Sequence, residues 1–158
     1  MFDIGDKVIH PGCGACRVKG IRRGPKGAIF VLKPVRKMPG GLEILVAEYN
    51  VERAGVHYPI QKKEIEKILD ILRSDPNDIS GDSENAYETV RKNIKLGDPY
   101  TIAESVRDLA HSEDERFLSV KEKFVQTAKD RLAEEISYVN GFSKEDGYNL
   151  IERTMKNN

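Results

Sequence analysis

The feature that most constrains this chain is a change of hydrophobic period at Pro59. Before it, apolar residues come in short β-branched or aromatic runs cut by Gly and Pro; after it, they recur at helical spacing. Periods of 2 and 3.6 bury their apolar residues on differently shaped faces, so the two halves require different architectures. Lys7-Val8-Ile9-His10 lies between Gly5 and Pro11-Gly12, and residues 15–21 form a second strand. Gly24-Pro25-Lys26-Gly27 punctuates a reversal into the run Ala28-Ile29-Phe30-Val31-Leu32, which Pro34 and then Pro39-Gly40-Gly41 close. Residues 42–46 make a fourth strand, and Val56-His57-Tyr58 a fifth before Pro59. Short strands at this spacing predict a small barrel or sandwich, and fewer than sixty residues fit a barrel of SH3 or Tudor size. Such a module binds more often than it catalyses.

Beyond Pro59, Ile65, Ile68, Leu69 and Leu72 stripe a helix that Ser74-Asp75-Pro76-Asn77 stops, and a polar loop follows to Asp82. Tyr87, Val90 and Ile94 stripe a second helix, ending at Leu96-Gly97. Asp98 ahead of Pro99 is an N-cap with proline at the first helical position, opening a helix with Ile102, Ala103, Val106, Leu109 and Ala110. Ser119-Val120-Lys121-Glu122 reads as a capping box for the longest helix, which aligns Val120, Phe124, Ala128, Leu132, Ile136 and Val139. Gly141 closes it, and Ser143 opens a last helix carrying Tyr148, Ile151 and Met155. The fold class is therefore α+β with two domains: a small β-barrel over residues 1–59, then a bundle of about five helices over residues 60–158.

Charge divides at the same point. Lys+Arg and Asp+Glu are 26 each, but residues 1–59 hold 10 basic against 5 acidic side chains, leaving 16 against 21 after them. A net +5 followed by −5 predicts modules with different partners. No run approaches the ~18 apolar residues of a membrane span, and the first ten residues lack the apolar stretch of a secretory signal. With two Cys only, the expectation is a reducing cytoplasm and no disulfide framework.

Chemistry-bearing motifs are few. Cys13-Gly-Ala-Cys16 with His10 has zinc-like spacing, yet a structural zinc takes four ligands and only His57 and His111 remain. The pair reads as thiols of a strand–turn, with a zinc site or a redox pair as competing readings. Glu113-Asp114-Glu115 reads as a solvated helix end. Phosphate loop, nucleophile elbow and HExxH are all absent from the sequence. The expectation is a protein that is not an enzyme and has no cofactor. Two basic sets stand out. Arg17, Lys19, Arg22, Arg23 and Lys26 crowd the second strand and its turn, where they make either a positive binding surface or a charge-protected edge. Arg91, Lys92 and Lys95 share the outward side of one helix, and Lys121 and Lys123 lie in the first turn of another. Both groups are read as phosphate contacts or as solvated faces.

The chain resembles the CarD/CdnL family of bacterial RNA polymerase-binding transcription regulators. The resemblance rests on Phe2, Gly5-Asp6, Val8, Pro11 and Gly14, then Val18, Ile21, Val31-Leu32-Lys33, Asn50 and Gly55-Val56. It continues with Leu96-Gly97-Asp98, Ile102-Ala103-Glu104, Val106-Arg107-Asp108-Leu109, Leu118-Ser119, Glu122-Lys123, Ala128, Leu132 and Glu135-Ile136. It implies a Tudor-like domain that docks on the polymerase β subunit, with Arg22, Arg23, Leu42, Ile44, Leu45, Val46 and Asn50 as the polymerase-facing set. It also implies a helical domain against promoter DNA that stabilises the open complex, rRNA-type promoters included, with Ser83, Tyr87, Arg91, Lys92, Lys95, Lys121 and Lys123 as the DNA set. The chain would act as a monomer in the cytoplasm, drawn to the nucleoid by polymerase. Relatives often carry a Trp wedge where Ser83 stands, and Asn85 and Glu88 replace basic neighbours. A relative's basic residue falls at Leu45, and its proline at Ala47. A protein–protein adaptor on polymerase without DNA contact is the alternative.

Overall fold

The computed structural model describes residues 1–79 and 86–156. It divides into two compact units, Met1–Pro59 and Ile60–Asn158. In the first, β1 (Lys7–His10), β2 (Gly14–Gly24), β3 (Gly27–Pro34) and β4 (Ile44–Ala47) pair antiparallel in chain order as one four-stranded sheet. β2 runs to Gly24, beyond the expected 21, because the Pro25-Lys26 loop lets pairing continue up to Gly24 opposite Gly27. The expected fifth strand is a single bridge in which Ile9 and His57 exchange backbone bonds of 2.7 and 3.1 Å. It goes no further because Pro59 has no N–H to give and Tyr58 turns its hydroxyl onto Asp6 Oδ2 (2.8 Å). Val8, Cys16, Val18, Phe30, Leu32 and Val46 line the covered face with Phe2, Val51 and Val56. A bulge between Val18 and Gly20 shifts the register. Gly5 and Asp6 bind it from the N-terminal segment, through Gly5 N–H to Val18 O and Val18 N–H to Asp6 O.

The second unit has five α-helices among its described residues: α1 (Ile65–Arg73), α2 (Ala86–Leu96), α3 (Pro99–Ala110), α4 (Lys121–Asn140) and α5 (Lys144–Lys156). The expected stripes meet in one core, with Ile68, Leu72, Ile94, Ile102, Leu109, Leu132, Ile136 and Ile151 fully buried. Asp98 caps α3 by accepting from the Thr101 N–H at 2.8 Å, and Gly141 ends α4 at φ +76°. Gly147 lets α5 cross α4 closely; a β-carbon there would lie 2.7 Å from the Ala133 carbonyl oxygen.

The Ser119 capping box does not form. Burial of Phe117 winds residues 115–117 into a 3-10 turn, and Val120 is already helical with its N–H on Phe117 O. Ser119 thus sits outside the N-cap position, where extended backbone is needed. A capping box occurs instead at Gln61 and Glu64, ahead of α1.

Candidate interaction surfaces

In the β unit, strand alternation sorts the expected polymerase-facing residues. Val46 pairs with Phe30 and is 5% exposed, so it belongs to the core and offers a partner no surface. Leu45, one residue earlier, faces out at 55%, and Leu42 ahead of the strand is also exposed. Arg22 and Arg23 are exposed opposite Ile29 and Ala28 on the long hairpin. Ile44 is half-buried against the core. Asn50 is half-buried in a 3-10 turn, its carbonyl accepting the Ala54 N–H at 2.9 Å. Tyr49 in that turn is 70% exposed, with the Lys26 ammonium 5.8 Å from its ring centre. Sequence reading passed over Tyr49 because a lone aromatic outside a strand carries no periodic signal. Of the two thiols, Cys16 is buried and Cys13 half-buried, while His10 Nδ1 accepts the Gly12 N–H at 3.0 Å. Among the described residues no group of three His, Cys, Asp or Glu is placed to hold a metal ion.

In the expected DNA set of the helical unit, three side chains have partners within the unit and three stand exposed. Ser83 lies outside the described residues. Tyr87 stacks on Phe117 (6.4 Å, 13°) and packs on Phe124 (5.5 Å), which turns it inward and pins the start of α2 to α4. Seven residues along each helix, Arg131 Nη1 donates to Ile94 O at 2.9 Å, so α2 and α4 run in the same direction. That guanidinium neutralises the negative end of α2, and burial holds its pKa below the usual arginine value. Arg91 is paired with Glu88 at 3.0 Å, and Lys121 Nζ donates to the Ser112 carbonyl at 2.9 Å. Lys92, Lys95 and Lys123 stand exposed, with no ion pair among the described residues.

Several motif residues prove to be structural. Arg107 and Asp108 are buried and paired at 2.8 Å. Arg107 also donates to Ser74 Oγ at 2.7 Å, and Asp108 accepts the Asn77 N–H at 2.8 Å, so the pair straps the segment after α1 onto α3. Glu135, 3% exposed, accepts the Ile60 N–H at 2.9 Å and fixes the first residue of the unit. A family model described as CarD, C-terminal domain, matches residues 67–152, just over half of the chain.

The chain belongs to the CarD family.

It is a CarD-like transcription regulator, of a family whose members act on RNA polymerase. Within the matched span, Asp98, Arg107, Asp108 and Glu135 satisfy backbone or buried charge, whereas Lys123 of the Glu122-Lys123 motif points to solvent. In this CarD-family chain the buried part of the recognisable motif is therefore fold, while Glu104, Leu118, Ser119, Glu122 and Lys123 of the same motif are exposed. No helix among the described residues is long and apolar enough to cross a membrane.

Proposed function

We propose that this protein is a non-enzymatic regulator that docks on the RNA polymerase β subunit through its β unit. Its helical unit then adds a weak, sequence-nonspecific contact to promoter DNA and lengthens the life of the open complex, at rRNA-type promoters as elsewhere. The observation carrying this reading is the set of exposed apolar side chains Leu42, Leu45 and Tyr49 on and around β4, in a unit that also exposes Arg22 and Arg23 on the β2–β3 hairpin and a chain whose other unit matches the CarD C-terminal domain. Apolar and aromatic anchors with arginine at hand are the composition of a protein-binding surface. Docking raises the local concentration of DNA near the helical unit, so Lys92, Lys95 and Lys123 need bind only weakly to act. The protein acts as a monomer that reaches the nucleoid on polymerase.

Leu45→Asp should abolish capture by the purified β-subunit lobe and, with it, any effect on open-complex lifetime. Lys92→Ala, Lys95→Ala and Lys123→Ala together should shorten that lifetime at unchanged β affinity. A Leu45→Asp variant that still binds the lobe would sink the docking surface.

The adaptor reading has an observation of its own: Tyr87 faces inward, Arg91 is paired, and Lys121 holds a backbone carbonyl. If the triple lysine variant leaves open-complex lifetime unchanged while docking persists, the adaptor reading replaces the DNA contact.

A further inference from the structure

The outer face of the β sheet carries an arrangement that neither the core nor the apolar flank requires. Register sets Lys7 opposite Arg17 and Arg17 opposite Lys33, so three cations stand in one row across β1, β2 and β3. Cross-strand partners share a face, and all three residues are exposed. Two interstrand spacings make the row about 10 Å long. Arg22 joins the same face. It sits opposite Ile29, which alternates with Val31 and Lys33 along β3, and the Val18/Gly20 bulge corrects the odd spacing from Arg17.

Like charges placed directly opposite destabilise a sheet, and this sheet does little to cancel them at Arg17 and Lys33. Glu43, the acidic residue leading into β4, is taken by Lys19 at 3.2 Å. Arg17 and Lys33 have no ion pair among the described residues.

We propose that this row binds the phosphate backbone of nucleic acid, giving the β unit a nucleic-acid contact on the β1–β3 side of the face whose β4 edge carries Leu45. A protein partner would call for apolar or aromatic anchors amid the charge. The apolar neighbours of the row on β1, β2 and β3, namely Ile9, Ala15 and Val31, are buried, and the exposed Leu45 shares the face only at its β4 edge, opposite Val31. A duplex presents one negative charge per roughly 1.7 Å of axis and needs no such anchor. Long basic stems on a rigid sheet suit contacts that position without reading bases. The net +5 of residues 1–59 favours approach of the same partner. Arg22 and Leu45 on this face belong to the proposed docking flank, whereas Lys7, Arg17 and Lys33 do not, so the row is tested apart from the polymerase reading.

The test uses the full chain and a short labelled duplex of mixed sequence, with binding followed by anisotropy over a salt series. Arg17→Gln with Lys33→Gln should lower the slope of log affinity against log salt by about 1.8, at ~0.9 for each phosphate no longer neutralised. Capture of the polymerase β lobe should stay unchanged. Because the row is repulsive in the free protein, the same variant should melt at an equal or higher temperature, which separates weakened binding from failed folding. Lys121→Ala with Lys123→Ala should move the slope less. An unmoved slope in the Arg17/Lys33 variant would overturn the proposal. So would poly-glutamate competing as well as duplex at equal charge, or a parallel drop in β-lobe capture, since either assigns the row to an acidic protein face.

Discussion

The β unit satisfies its strands by pairing them, which leaves its cations standing outside on Arg17, Arg22, Arg23 and Lys33. The helical unit must satisfy helix ends and connecting segments, and it draws charged side chains inward to do so. Arg107 and Asp108 hold the segment after α1, Glu135 holds the Ile60 N–H, and Arg131 covers the end of α2. A backbone polar group removed from water needs a partner, and between helices that partner is often a side chain. The difference teaches that +5 and −5 do not measure two binding surfaces. Part of the charge in the helical unit is internal structure, whereas much of that in the sheet faces solvent.

The largest expected effect comes from breaking one unit and watching the other. Phe30→Ala removes a 2% exposed ring from the sheet core, at a cost of about 3–5 kcal/mol. A unit of some 60 residues is marginal, so its amides should lose hydrogen-exchange protection while those of α3 and α4 keep theirs. Equal loss in both would show a single cooperative body and undo the comparison.

A comparable loss, confined to the other unit, is expected at the buried pair. Arg107→Leu strands the Asp108 carboxylate and should cost about 3–5 kcal/mol. Adding Asp108→Leu should recover part of that, because the uncompensated charge is gone. A double variant less stable than the single, by chemical denaturation, would mean that the contacts to Ser74 and Asn77 outweigh the charge.

A smaller effect discriminates the units by pH. The Asp3 N–H, helped by the Tyr58 hydroxyl, holds the Asp6 carboxyl below its ordinary value. The Gln61 N–H, helped by Tyr100, does the same for Glu64. A depressed carboxyl contributes stability that is complete above the ordinary carboxylate range and is lost as pH falls through the depressed value. Tyr58 and Tyr100 are raised by these same carboxylates, so their contribution is present below the ordinary tyrosine value and lost as pH rises through the raised one. Asp6→Asn should therefore flatten the acid limb of the β unit alone, and Glu64→Gln that of the helical unit alone. Either variant flattening both limbs would show that the units share their titration.

Much of the fold was legible because it follows from local rules. The α+β class came from period, α3 opened at Asp98-Pro99, α4 closed at Gly141, and the stripes of α1 to α5 became one core. Local rules failed where a long-range contact overrode them. Ser119 had the right neighbours for a cap, but burial of Phe117 wound the chain before the helix began. The candidate surfaces were less legible than the fold. Alternation alone separates Leu45 from Val46, but which of them faces the core is decided by pairing with Val31 and Phe30. Tyr87 at helical spacing looks the same whether it meets DNA or Phe117 and Phe124. Residue order determined which segments are strands, which are helices and where most of them stop, since those depend on side chains a few positions apart. Only the tertiary structure decided that Lys7, Arg17 and Lys33 form a row and that Arg107 and Asp108 form a buried strap. A turn and a bulge set strand register, and packing across the core brings α1 and α3 together, over separations that no local pattern encodes.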